Sequence, residues 1–333
     1  MKALIDSKSN KYLLVAVLVI ALLIPQVITS PSIMQIMILT LFFAYLTSSW
    51  NLVGGFAGVL PLGHSAFIGI GAYTSTILYL HYGLSPWLGM LAGGVLAAVV
   101  GVIIGIPTLK LRGAYFALAT MAFGEGLRVL VENVDTVGPF KVNGPRGLLI
   151  DLAGNSFRDY QFTNKATYYY IILAFLLIIL TVTWFLLRSK VGYYLSAGGE
   201  DPEAAAALGI NVPRYKVMAM AISCFFTALA GTFYAQMFLY FYPKSILGLD
   251  MSFEIAFIAL IGGRGTIIGP LLGALLLRPL NELTRIYLGG ILPGMHLVIF
   301  GLILILVMIF QPRGIQEPLT RLYRRILYRI QGS

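Results

Sequence analysis

The chain is poor in most of what a soluble enzyme needs. Of its 333 residues only 11% are charged while 59% are hydrophobic, and the mean hydropathy is +0.88. No aqueous core hides that much apolar surface, so lipid is the solvent. There is one cysteine, Cys224, inside an apolar run, which excludes an intrachain disulfide and a thiolate metal site. The histidines His64, His81 and His296 are far apart and lack the H-x-x-x-H or H-E-x-x-H spacing that binds zinc. No Gly-Lys dipeptide occurs, so there is no Walker-type phosphate loop, and no G-x-S-x-G nucleophile elbow is present. Without an acid, base and nucleophile set, a membrane enzyme is the weakest reading. The formal net charge of +10 does not indicate nucleic acid, because the basic residues fall in short connections between apolar runs.

What the chain has is apolar length. Ten segments approach the roughly 20 residues that cross a bilayer: 12–29, 32–53, 64–82, 87–107, 114–134, 168–187, 217–240, 251–261, 267–287 and 292–310. The expected fold class is therefore an all-α polytopic transmembrane helix bundle of about ten segments. Segment 251–261 is too short to span alone and is expected to be tilted, broken or re-entrant. The run from residue 12 follows Lys2, Lys8 and Lys11 like the charged region of a signal peptide. It lacks a small-residue cleavage site and is read as a retained first span. Trp50, Trp87 and Trp184, near span ends, are expected to be interfacial anchors.

Charge sets the orientation. An even count puts both termini on one side. Of 23 Lys and Arg, Arg128, Arg278 and Arg285 fall inside segments, and Lys141, Arg146, Arg158, Lys165 and Lys244 fall in connections on one side. The remaining fifteen fall on the other, so that side is cytoplasmic and carries both termini. The expected organisation is a cytoplasmic N-terminus (1–11), one transmembrane domain (12–311) and a basic cytoplasmic tail (312–333). The domain includes an outer loop (135–167) and a cytoplasmic loop (188–216). Arg321 to Arg329, interleaved with apolar residues, is expected to lie along the anionic inner leaflet.

Two glycine runs interrupt the apolar pattern, G-G-F-A-G-V-L-P-L-G at 54–63 and G-G-R-G-T-I-I-G-P-L-L-G at 262–273. Gly262, Gly263 and Gly265 are candidates for a broken helix beside a transport pathway. The alternative is close helix packing, and the two are compatible. Ionisable residues at membrane depth are the other candidates. Glu125, Arg128 and Glu132 share one helical face, with Glu125 about 16 Å into its segment. They are either pathway contacts or a self-neutralised group that fixes packing. Arg278, Glu282 and Arg285 repeat the pattern nearer the outer end, and His64 follows a glycine turn as a further pathway candidate.

The loop 188–216 is the polar island on which the rest is organised. Asp201 is a helix N-cap, Pro202 suits the first helical position, and Glu203 complements the macrodipole. Strong helix formers follow through Leu208, and Gly209 supplies a left-handed stop. Such a short helix is marginal alone in water and is expected to dock onto something.

Its residues carry a resemblance. Glu203-Ala204-Ala205, three residues and Gly209 match the EAA-x-x-x-G element of ATP-binding-cassette importer permeases. G-I-N-V-P-R-Y-K-V (209–217), G-G-R-G-T-I-I-G-P-L-L-G-A (262–274) and A-F-G-E-G-L-R (122–128) resemble the LivM-type subunits of the branched-chain amino acid permease family. The wider importer motif continues with I-x-L-P, which this chain lacks, having Ala219 there, as the branched-chain group also does. The resemblance implies a second related permease subunit, two cytoplasmic ATPase subunits that bind ATP and Mg, and an external substrate-binding protein delivering leucine, isoleucine or valine. It also implies a bacterial inner membrane, no cofactor in this chain and no enzymatic activity of its own. Under it, Asp201, Glu203, Ala204, Ala205 and Gly209 couple to the ATPase, and Glu125, Arg128, His64 and the glycines line the route. A related carrier of urea or another amino acid, or a stand-alone transporter or channel, are the alternatives.

Overall fold

The computed structural model describes residues 8–28, 30–111, 113–288, 295–311 and 314–318. The tail expected at 321–329 lies outside them, as do Lys2, Arg112, Arg313 and the side chains of Lys8, Lys11 and His296. Helices α1 (Lys8–Val27), α2 (Pro31–Asn51), α3 (His64–Tyr82), α4 (Pro86–Thr108) and α5 (Ala114–Glu132) precede a long polar loop. Helices α6 (Lys165–Arg188), α7 (Lys190–Glu200), α8 (Pro202–Ala207), α9 (Val212–Phe238), α10 (Pro243–Leu247), α11 (Leu249–Gly263), α12 (Gly269–Leu288) and α13 (Met295–Phe310) follow it.

The fold is an all-α polytopic bundle. Among the described residues six helical stretches are long and apolar enough to cross a membrane: Pro31–Phe56, Pro86–Thr108, Ala114–Glu132, Lys165–Arg188, Val212–Phe238 and Pro243–Gly263. The last of these absorbs the short segment expected at 251–261. There α10 runs into α11 through extended backbone at Gly248, so the two together have the length that α11 lacks.

Helix α2 is the centre. It carries no charged side chain, and its window is 89% buried against α6, α9, α11 and α12. Its buried Thr47 and Ser48 hydroxyls are satisfied inside the helix: Thr47 donates to the Phe43 carbonyl and Ser48 to the Ala44 carbonyl, each at 2.7 Å. Past Asn51 the helix widens into a π-helical turn, Leu52–Phe56, and then breaks at Gly58, where φ is +70°. Trp50 is fully buried and donates through Nε1 to the Pro61 carbonyl at 2.8 Å, which pins the returning chain. It is therefore an internal clamp and not an interfacial anchor, because the break turns the chain back over the ring.

Helix α9 packs on α3 and α4. It runs parallel to α3, as shown by the pairing of His64 with Ser223 and, further along both helices, of Gly71 with Thr232. A Cβ on Gly71 would overlap the Ala228 carbonyl, and one on Gly231 the Ile68 carbonyl. Two backbones can approach this closely only where side chains are absent.

The polar loop contains two small antiparallel pairings. Thr136–Val137 folds back on Phe140–Lys141, and Leu148–Leu149 pairs with Tyr240–Phe241 beyond α9. Trp87 holds the loop down, donating to the Phe157 carbonyl at 2.8 Å and packing on Tyr160 with ring centroids 4.1 Å apart.

Candidate functional site

Helix α8 has the ends its sequence dictates. The Asp201 carboxylate accepts from the backbone N–H groups of Glu203 and Ala204, both at 3.0 Å, and Pro202 takes the first helical position. At the other end Gly209 N–H donates to Ala206 and Ile210 N–H to Ala205, with Gly209 at φ +82°. These two bonds form a Schellman motif, closed by Ile210 against Ala205, the one buried residue of the helix. The remaining residues are exposed, and Leu208 is 82% exposed. A rigid, doubly capped helix thus presents alanines and a leucine outward.

Beneath it lies α7, which sequence reading treated as loop. Ser189 caps it by accepting from Gly192 N–H, a signal that S-x-x-G at 189–192 offered. Likewise α9 begins at Val212, earlier than the apolar run at 217, because Asn211 accepts from Arg214 N–H. The end of α7 sits on the break in α2: a Cβ on Gly199 would overlap the Phe56 carbonyl, and one on Gly58 the Gly199 carbonyl. So α8 is joined by backbone contact, through Gly199, to the turn that ends the central helix.

That turn meets the second glycine run. The Asn51 carboxamide donates to the Thr266 carbonyl at 2.8 Å and accepts from Gly265 N–H at 2.9 Å. A Cβ on Gly55 would overlap the Gly265 nitrogen, and Gly265 itself has φ +72°. Thr266 in turn donates to the Gly263 carbonyl at 2.7 Å and accepts from Gly269 N–H at 3.1 Å, shaping the link between α11 and α12. The glycines break helices and let backbones pack closely. Gly58 and Gly265 take left-handed backbone where helices stop, and Gly262 packs against Gly269 and Gly273. Asn51 was not singled out from sequence; a lone amide between an apolar run and Gly54-Gly55 was the available signal.

The other candidates lie apart from this junction. His64 is buried and bonds through Nε2 to Ser223 Oγ at 2.8 Å, while Ser223 donates its hydroxyl proton to the Ser49 carbonyl at 2.7 Å. A serine has one proton to give, so Nε2 carries the hydrogen and donates. His64 therefore ties α3 to α9 and, through Ser223, to α2. On α5, Arg128 pairs with Glu125 and, at 2.5 Å, with Glu132. This half-buried group flanks the inner side of the helix, which abuts the chain just before α3: Leu62 N–H donates to Thr120 Oγ1 at 3.0 Å, and Gly124 faces Gly63. The second charged group is internal. Arg278 joins Glu254 at 2.5 Å and Glu282 at 2.8 Å, and its guanidinium lies 4.3 Å from the Phe43 ring centroid. Among the described residues no group of His, Cys, Asp and Glu could hold a metal ion. Among the described residues the arrangement offers no reacting constellation; it offers an exposed capped helix, a chain of backbone contacts from it to the broken end of α2, and two ion-pair groups.

Residues 13–308 match the family described as branched-chain amino acid transport system, permease component. The high-affinity branched-chain amino acid transport system permease protein LivM of Escherichia coli is 32% identical over 94% of this chain and 76% of its own length. The nucleoside ABC transporter permease protein NupC of Lactococcus lactis is 27% identical over 71% of this chain and 76% of its own. The guanosine permease protein NupQ of Bacillus subtilis is 29% identical over 71% and 76%. No solved structure matches the chain. A multi-pass helical membrane chain that is 32% identical to a LivM permease along nearly all its length is a transport subunit, not an enzyme, and it belongs to the branched-chain amino acid transport system permease family.

Proposed function

We propose that this chain imports branched-chain amino acids as one permease subunit of an ATP-binding-cassette importer. Its partners would be a second related permease, two cytoplasmic ATPase subunits that bind ATP and Mg, and an external substrate-binding protein. The observation that carries the reading is α8, an exposed, doubly capped helix with Leu208 outward, seated through Gly199 on the break in α2. A partner ATPase that grips Asp201, Glu203, Ala204, Ala205 and Gly209 moves α8 as a rigid piece. The push reaches the turn at Gly58 and, through Asn51, the link at Gly262, Gly263 and Gly265, and the spans exchange between outward- and inward-open states.

In this reading ten segments cross the inner membrane in one domain, the three outside the six membrane-long helices and α1 included. The charge bias puts both termini and α8 in the cytoplasm and the loop 135–167 outside. Glu125 and Arg128 border the route, with His64 holding the helices behind it. The LivM relatives favour an apolar amino acid as cargo, and the nucleoside permeases among the relatives support a nucleoside as the second reading.

The test is reconstitution of the whole importer in proteoliposomes. ATP-dependent uptake of leucine, isoleucine or valine that disappears without the ATPase supports the proposal. Uptake of guanosine instead overturns the cargo, and uptake by the permeases alone overturns the importer.

A further inference from the structure

We infer that the groove between the end of α4 and the start of α9 holds one anionic phosphoglycerolipid of the bilayer. Its phosphate sits on Lys110 and Arg214, and one acyl chain runs along Ile106, Leu109 and Val217. The two helices are antiparallel and tightest in their middle: a Cβ on Gly94 would overlap the Phe225 ring, and one on Gly101 the Cys224 sulfur. One turn further on the fit has loosened, and a Cβ on Gly105 would sit 3.5 Å from Met220, an ordinary contact. Beyond Gly105 the helices part around a groove of about 340 Å³, lined by Ile106, Leu109, Lys110, Pro213, Arg214 and Val217. That volume falls in the range of about 300–1,000 Å³ in which small molecules bind.

The lining is amphipathic in the way a lipid is. Four of its residues are apolar, two are cations, and none is a carboxylate. Both cations are exposed, and neither joins an ion pair among the described residues. The backbone at the start of α9 has little left to offer an anion. Val212 N–H donates to the Ile210 carbonyl at 2.9 Å, Arg214 N–H to the Asn211 side chain at 3.2 Å, and Pro213 has no N–H. Side-chain charge therefore does the holding: the Arg214 guanidinium can fork onto two phosphate oxygens, with Lys110 beside it as a point charge. Free phosphate would leave the apolar walls unused, whereas a lipid uses both halves of the groove.

The groove lies where the apolar stretches end. That of α4 stops at Thr108 and that of α9 starts at Val212. On the membrane side it continues the bulky, uncharged face of α4, where Val95, Val99 and Ile103 are exposed and Ile106 is 53% exposed. An acyl chain can follow that stripe without a break. The same end of the bundle, which α6 leaves and α9 enters, carries Arg188 4.0 Å from the Trp184 ring centroid, a pairing suited to a membrane–water boundary. In the orientation that the charge bias gives, this end meets the inner leaflet, where basic pockets between membrane helices select anionic head groups.

The experiment places the full chain in phosphatidylcholine nanodiscs with a trace of phosphatidylglycerol or phosphatidylcholine that carries a diazirine in one acyl chain. After irradiation the labelled positions are mapped by mass spectrometry. Phosphatidylglycerol is expected to label Ile106, Leu109 and Val217, and phosphatidylcholine to label them several-fold less. The double variant Lys110→Gln with Arg214→Gln should lower that label about 25-fold, about fivefold for each cation. Its unfolding temperature in phosphatidylcholine alone should match wild type, because both side chains are exposed. Val217→Trp fills the groove, keeps both charges and should remove the same label. Label on the basic residues 321–329 should not change in either variant. Equal labelling by the two lipids, or labelling that the double variant leaves unmoved, overturns the site. Inorganic phosphate that displaces the label where sodium chloride of equal ionic strength does not gives the groove to free phosphate and overturns the lipid. Label lost when the partner ATPase is bound gives it to that protein, with the same consequence.

Discussion

Asn51 and Gly265, 214 residues apart, are joined by a hydrogen bond of 2.9 Å from the Gly265 backbone N–H to the Asn51 Oδ1. The same carboxamide donates to Thr266, so one side chain at the end of the central helix fixes the link between α11 and α12. Asn51→Ala removes both bonds and leaves a part-buried N–H and carbonyl without that side-chain partner, at a cost of about 1 kcal/mol. A lower unfolding temperature of the purified subunit checks this. Asn51→Asp, which keeps the acceptor and loses the donor, should fall between wild type and alanine.

The Gly58 and Gly199 contact should transmit the motion of α8. Gly199→Val places a side chain against the Phe56 carbonyl and pushes α7 off the turn. The expected result is ATP hydrolysis that continues with substrate uptake reduced, measured together in proteoliposomes. Uptake and hydrolysis falling in proportion would mean that the contact is not in the coupling path.

Both ends of α8 matter for its rigidity. Asp201→Ala should cost the helix about 1 kcal/mol by freeing two backbone donors. Gly209→Ala should cost about 1–2 kcal/mol, since an L-residue is forced into left-handed backbone. Gly209→Asn should restore part of the loss. ATPase retained on purification is the readout, and the asparagine variant should hold more of it than the alanine variant.

On α5 the order of effects is set by who pairs with whom. Arg128→Ala strands two carboxylates, whereas Glu125→Gln leaves Arg128 still paired with Glu132. Amounts of folded protein in the membrane should therefore rank wild type, Glu125→Gln, then Arg128→Ala. The double variant Glu125→Gln with Arg128→Ala should recover toward the first of these, because one stranded charge is removed.

His64 joins three helices through two hydrogen bonds in series. His64→Phe keeps the ring volume but leaves Ser223 donating to Ser49 with no bond from α3, and thermal unfolding should detect a loss of about 1 kcal/mol. An unchanged unfolding temperature together with altered uptake would move His64 from a packing role to the route itself.

Much of this was written locally in the chain. Apolar length determined a helical membrane bundle, because a backbone in lipid must satisfy its own hydrogen bonds. The caps of α8 were legible as well, since Asp201, Pro202 and Gly209 act on bonds within one or two turns of themselves. The motifs that carry the family resemblance are contiguous for the same reason. The pairing of the two glycine runs was not decidable from their spacing, and Trp50 was misassigned to the interface, because both depend on where the chain returns after the break at Gly58. Only the tertiary structure set Asn51 against Gly265, Gly58 against Gly199 and His64 against Ser223. A helical pattern tells which side of a helix is apolar, while contact between two helices depends on their register and crossing point. Those are decided by the packing of all the helices together, and no single stretch of sequence holds them.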